Sequence, residues 1–146
     1  MSRIKLTLPE AQHFIFTTEI TPRVSDINYG NHLGHDHLIS LLHEARVRFL
    51  NKHNFNELDI DGSGIIMSDL AITYKTEVSW GEHLSIEIAL CDPSRVGCDF
   101  FYLVKNKETG TEVARGKTGI IFFDYKRKKV VRIPKAFAGL IQGNKD

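Results

Sequence analysis

A chain of 146 residues with 42% hydrophobic content has room for one domain, spanning 1–146, around a single core. Its 19 Lys and Arg against 18 Asp and Glu leave a formal charge of +1, so no global field gathers nucleic acid or an anionic membrane, and any such contact must come from a local patch. Apolar runs are only a handful of residues long and the opening MSRIKLTLPE lacks the apolar core of a secretory signal, so a cytoplasmic setting without a membrane partner is expected.

In chain order, HFIFTTEITPRV reads as a strand that is interrupted, or lies at a sheet edge, where Pro22 removes a ladder donor. The stretch DINYGNHLGHD, residues 26–36, then crowds carboxylates, carboxamides, histidines and glycines into a polar loop. Residues 36–53 contain no Gly or Pro, and Leu38, Leu41, Leu42, Ala45 and Phe49 recur at helical spacing along one face. That predicts a helix roughly 27 Å long at about 1.5 Å per residue. Asp36 can cap it, and Glu44 stands one turn from Arg48 on another face.

After NELDIDGSG the period falls to two, with Ile66, Leu70, Ile72 and Tyr74 on one face of a strand and Asp69, Ala71, Thr73 and Lys75 on the other. Leu84, Ile86, Ile88 and Leu90 alternate with Ser85, Glu87 and Ala89 in the next, followed by strands at 96–105, 111–124 and a short 130–133. The connectors EVSWGE, DPSR, NKETG and DYKRKK carry the Gly, Pro or clustered charge of hairpin turns. Pro134 opens a short final helix that Gly143 ends. Cys91 and Cys98 flank DPSR and can face each other across a hairpin, but directly opposed strand positions strain a disulfide, so free, packed thiols are expected.

A helix is about 10 Å across while five strands at about 4.8 Å spacing are more than twice as wide, so one helix covers the sheet only if the sheet curls round it. Exposed edge strands in such a sheet are a liability unless a second copy pairs with them. A homodimer is expected, with a homotetramer as the larger alternative.

Three segments resemble a known family: RVSDINYGNHLGHDHLISLLHEAR, an acidic loop running into a helix with Glu-Ala; SWGEHLSIEI, a turn entering a strand; and FFDYKRKKVVRIP, a closing strand with Ile-Pro. In order and spacing they are similar to the hotdog-fold acyl-CoA thioesterases of the 4-hydroxybenzoyl-CoA and 1,4-dihydroxy-2-naphthoyl-CoA kind. The resemblance implies an α+β hotdog fold, an antiparallel sheet of five or six strands wrapped around one long helix. It also implies hydrolysis of an acyl-CoA or aroyl-CoA to free acid and CoA at a subunit interface. No metal or organic cofactor is implied, coenzyme A being part of the substrate. Counting back from HEA, Asn28 occupies the position of the family's catalytic aspartate, and a carboxamide is neither nucleophile nor general base. The plant acyl-ACP branch has an Asp-x-Asn-x-His loop, of which His32 alone matches, Asn28 and Gly30 replacing the other two.

Thioester hydrolysis needs a group that attacks or deprotonates water and donors aimed at the developing oxyanion. The helix start offers free N–H groups at Gly34, His35 and Asp36, with that of His35 the polarising donor by resemblance, although every helix start presents such groups. His32 is the first candidate for general base, imidazole being suited to proton transfer near neutrality. Asn28 either orients the water, bonds the carbonyl or holds a turn. Asp36 either activates water or caps the helix. Glu44 either presents a carboxylate, as another hotdog branch does from this region, or pairs with Arg48, while Asp26 braces the loop.

Ser68 and Asp69 are candidates to line the pocket, with Met67, Phe100 and Tyr102 as an acyl slot or as plain core. Lys126, Arg127, Lys128 and Lys129, with Arg132 and Lys135, either hold the phosphates of coenzyme A or form a solvated hairpin tip. No aromatic stacking motif accompanies these charges, which argues against nucleic acid. His32, His35, His37 and His43 do not make metal-ligand spacing, because positions two apart on a helix diverge, and no metal site is expected. Two rivals stand beside the hydrolase: a non-catalytic acyl-CoA-binding hotdog domain, and a hotdog dehydratase or hydratase whose His-Phe-x-Gly-His pattern NHLGH only echoes.

Overall fold

The computed structural model describes residues 2–141. A 3-10 turn, Ala11–His13, leads into β1 (Phe14–Ile20), which stops ahead of Pro22, and a second turn, Val24–Asp26, enters the polar loop. The long helix α1 runs His35–Lys52, and the strands that follow are β2 (Gly64–Tyr74), β3 (Leu84–Cys91), β4 (Gly97–Asn106), β5 (Glu112–Asp124) and the two-residue β6 (Lys129–Val130). Helix α2, Lys135–Ile141, follows Pro134; the expected stop at Gly143 lies outside the described residues.

All strand pairs are antiparallel, in the spatial order β1-β3-β4-β5-β2, with β6 adding a short rung to β5. Pro22 therefore follows an edge strand, as its missing N–H requires. Helix α1 lies in the curl with Leu38, Leu41, Leu42, Ala45, Phe49 and Leu50 buried against Leu84, Ile86, Ile88 and Leu90 of β3 and Phe100 and Tyr102 of β4. Phe49 is the hub: its ring meets Phe16 at 5.6 Å and Phe100 at 5.7 Å, both edge-on, while Phe137 of α2 closes the far side against Phe122 at 5.1 Å. Phe49→Ala should cost about 3–5 kcal/mol, read as a lower urea midpoint at unchanged slope. Phe100 and Tyr102 are fully buried here, so they are core and not the wall of an open slot.

The sequence period misplaced one residue of β2. A β-bulge between Met67 and Asp69 inserts Ser68 opposite the Ile120–Gly119 step, so Met67 shares the helix-facing side with Leu70, Ile72 and Tyr74, and Ile66 turns to the outer face. The bulge is held by Asp69, whose carboxylate accepts the Gly119 N–H at 2.9 Å and lies 2.9 Å from Lys117 Nζ. A Cβ at Gly119 would stand 2.6 Å from both Asp69 Oδ1 and Ser68 Oγ, so the close approach needs glycine. β2 is the outer strand, with Met67 and Tyr74 about half exposed.

The cysteines do not oppose one another. Register sets Cys91 against Asp99, and Cys98, one residue along, points to the opposite face and joins the core. Both thiols are free, and burial pushes each up to about 12. The outer face of the sheet is partly covered by the N-terminal segment, where Arg115 Nη1 donates to the Leu6 carbonyl at 2.8 Å and Leu6 packs near Phe101. No described helix is long and apolar enough to cross a membrane.

Candidate active site

Residues 26–34 form a self-bonded loop. Asn28 N–H donates to the His32 carbonyl at 2.9 Å, and Asn31 N–H returns to the Asn28 carbonyl at 3.0 Å, with Asn31 in the left-handed region (φ 65) that asparagine tolerates. The Asn28 side-chain Oδ1 accepts the N–H groups of Gly30 at 2.9 Å and His32 at 3.3 Å, leaving its NH2 without a partner among the described residues. Leu33 N–H donates to the Val78 carbonyl at 2.7 Å and ties this loop to the connection between β2 and β3.

Asp26 anchors the loop from beneath. Only 1% exposed, it accepts the Arg23 N–H at 2.8 Å, and His37 Nδ1 stands 3.3 Å from its other oxygen. Burial alone would raise its pKa, but the Arg23 N–H, the Arg23 guanidinium and His37 outweigh that and hold the carboxyl below the usual carboxylate range. Asp26→Ala should cost about 1–3 kcal/mol in a thermal melt, because the Arg23 N–H loses its acceptor. The bracing role expected of Asp26 is thus what the geometry provides.

The helix start differs from the simple expectation in two respects. Gly34, not Asp36, is the N-cap, and its N–H is already given to the Asp26 carbonyl at 2.9 Å. Asp36 sits in the first turn, its Oδ1 accepting only the adjacent His37 N–H at 3.0 Å, because the chain reaches the helix one residue earlier than its side chain needs to cap. The N–H groups of His35 and Asp36 remain without acceptors among the described residues. A Cβ on Gly34 would lie 2.8 Å from Asp36 Oδ1, so the bare backbone keeps the approach open.

These groups border a cavity of about 530 Å³ lined by Asn28, Gly30, His32, Gly34, His35, Tyr74, Glu77 and apolar Leu33, Leu38, Val78 and Val113, among others. His32 and His35 thus share one space with Asn28 and Gly34. Three contributors were not found from the sequence. Tyr74 donates its hydroxyl to the His35 carbonyl at 2.9 Å, fixing the strand end to the helix start. Glu77 places Oε2 3.2 Å from His32 Nε2. His37 contacts the buried Asp26. Only Tyr74 had a signal, its place at the end of an apolar alternation; the other two contacts cross between segments with no periodic relation.

The remaining candidates lie elsewhere in the chain. Glu44 accepts from Arg48 Nε at 2.9 Å, and Arg48 reaches Thr18 Oγ1 and the Glu19 carbonyl, so this pair fastens α1 to β1 outside the cavity. Ser68 and Asp69 are at the bulge in mid-strand, away from the cavity. Lys126 and Arg127 form an exposed turn closed by their N–H groups on Asp124. Among the described residues no three His, Cys, Asp or Glu side chains converge as a metal site would require.

The sequence profile of the Thioesterase-like superfamily matches residues 22–141, from ahead of the loop to the end of α2. The chain belongs to that superfamily. No curated protein matches the chain by sequence. Among solved structures it is similar to the 1,4-dihydroxy-2-naphthoyl-CoA thioesterase of Synechocystis (TM-score 0.79, 16% identity, covering 86% of this chain and 94% of that one). It is similar also to the DHNA-CoA thioesterase of Staphylococcus aureus (0.76, 21%, 88% and 93%). A third neighbour is a Staphylococcus aureus protein solved in complex with CoA (0.78, 17%, 93% and 87%). The curled sheet around α1 and these neighbours establish the hotdog fold.

Proposed function

We propose that this member of the superfamily hydrolyses an acyl-CoA or aroyl-CoA thioester to the free acid and CoA. One observation carries the reading: His32, and His35 whose backbone N–H has no acceptor among the described residues, border the same cavity. The thioester carbonyl oxygen accepts from the His35 N–H, where the helix dipole favours developing negative charge. His32 takes a proton from water; the hydroxide adds to the carbonyl carbon; the tetrahedral species collapses with loss of the C–S bond; and the imidazolium returns its proton to the CoA sulfur. Atoms balance as thioester plus water giving acid plus thiol. The free NH2 of Asn28 steadies the carbonyl or the water.

The free β2 edge supports pairing with a second copy, so the working form is proposed as a homodimer, tested by an elution mass of twice the chain. Within one chain Glu44, Ser68 and Asp69 do not reach the cavity, so any catalytic or binding part they play is toward the partner's. Asp36, at the rim, has the weaker claim to the water. Lys126, Arg127, Lys128 and Lys129 sit at an exposed turn outside this chain's cavity, as a solvated hairpin tip does, and a CoA-phosphate role for them needs a CoA that reaches beyond the cavity.

The test is thiol release from a panel of short, medium, long and aromatic acyl-CoAs. Turnover of at least one ester above the buffer rate supports the hydrolase; none across the panel with tight binding retained supports a non-catalytic acyl-CoA binder. That second reading is favoured by one observation, that Asn28 stands where the family's carboxylate does and spends its oxygen on loop N–H groups.

A further inference from the structure

We propose that Glu77 is a positioning residue for His32: its carboxylate, at ion-pair distance from Nε2, closes onto the Nε2–H and so leaves Nδ1 as the atom that takes the proton from water. The inference rests on the hydrolase reading above and names which nitrogen works and what directs it. Glu77 Oε2 lies 3.2 Å from His32 Nε2, and His32 is the one basic group within ion-pair reach of Glu77 among the described residues. The neighbouring Lys75 is engaged elsewhere, 3.3 Å from Glu112.

Backbone geometry explains why the two meet. Leu33, next to His32, donates to the carbonyl of Val78, next to Glu77, at 2.7 Å. Each side chain therefore springs from a residue adjacent to one end of the same hydrogen bond. The Asn28 carboxamide holds the His32 N–H and the Asn28 N–H holds the His32 carbonyl, so the imidazole's root is fixed on both sides. A carboxylate on one ring nitrogen selects the tautomer that protonates it and presents the other as acceptor, which is the logic of an oriented histidine base.

The pair is open to solvent, Glu77 being 77% and His32 38% exposed at the side chain, so it adds little to folding. Its effect is directional. Of the cavity's two histidines, His35 has no such partner among the described residues, and its part is played by backbone.

The experiment compares wild type, Glu77→Ala and Glu77→Gln by long-range 1H–15N NMR of His32, at a pH where imidazole is neutral, and by steady-state kinetics. Wild type is expected to show His32 almost wholly as the Nε2–H tautomer and Glu77→Ala a measurable share of Nδ1–H, with Glu77→Gln, whose amide oxygen can still accept, nearer to wild type. For Glu77→Ala, kcat should fall roughly tenfold to a hundredfold with KM within about threefold, and Glu77→Gln should recover part of the loss. Melting temperatures should move by no more than about 2 °C, separating positioning from folding. An unchanged tautomer with unchanged kcat in Glu77→Ala overturns the proposal. So does a Glu77→Gln variant as inactive as Glu77→Ala beside an active His32→Ala, since Glu77 would then be the base itself. The NMR arm does not need turnover, so an inactive wild type counts against the hydrolase reading alone, and the tautomer result still decides whether Glu77 directs His32.

Discussion

His32→Ala is expected to lower kcat for thioester hydrolysis by about a hundredfold to ten-thousandfold, the range a positioned general base supplies, with KM changed little. The side chain is partly exposed and stands outside the buried core cluster, so the variant should melt with wild type. The companion is Asn28→Asp. Under the hydrolase reading the new carboxylate still accepts the Gly30 and His32 N–H groups but has lost the NH2 donor, and turnover falls. Under the binder reading the same change restores the missing family carboxylate, and turnover rises from nothing. One substitution therefore moves the two readings in opposite directions. Residual activity in His32→Ala within a few fold of wild type would remove the imidazole from the chemistry altogether.

What the sequence disclosed and what it hid divide by the range of the interaction. Helix α1 was readable because its buried residues recur along one face, and β3 because Leu84, Ile86, Ile88 and Leu90 alternate without a break. The phase of β2 failed at Ser68, since a bulge is decided by the partner strand, here by Gly119 and the Asp69 carboxylate that bonds its N–H. The cysteine pairing likewise depended on a register that DPSR does not announce. Within the site, Asn28, His32, Gly34 and His35 were legible as one loop and do border one cavity. Glu77 was not, because its proximity to His32 comes from a bond between Leu33 and Val78, segments separated by a helix and a strand. Ser68 and Asp69 lie on the strand that reaches the helix start but do not line this chain's cavity: Tyr74, at its end, is the residue that meets the helix start.

Beneath α1 runs a polar chain for which the composition gave no warning, and its disruption is expected to cost as much as emptying the Phe49 site. Arg46, 6% exposed, donates from Nε to Glu57 at 2.7 Å and from Nη1 to Tyr102 at 2.9 Å, and Tyr102 in turn meets Thr118 at 2.8 Å. His43 Nε2 lies 2.9 Å from the other Glu57 oxygen. Arg46→Met removes one partner and leaves the Glu57 carboxylate half-buried beside His43 alone, for an expected loss of about 3–5 kcal/mol. Adding Glu57→Met to that variant should restore part of it, because two apolar side chains leave no uncompensated charge, and the departure from additivity measures the pair. The acid limb gives the sign independently. Burial would raise the Glu57 pKa, but the bonds from His43 and Arg46 and their charges outweigh it and hold the carboxyl below its ordinary 4.5. A depressed carboxyl contributes stability in full above that ordinary value and loses it as pH falls through the folded one. Acid unfolding of Arg46→Met, followed by circular dichroism, should therefore begin at higher pH than in wild type; coincident acid limbs would mean that the Arg46–Glu57 bond does not stabilise the ionised form.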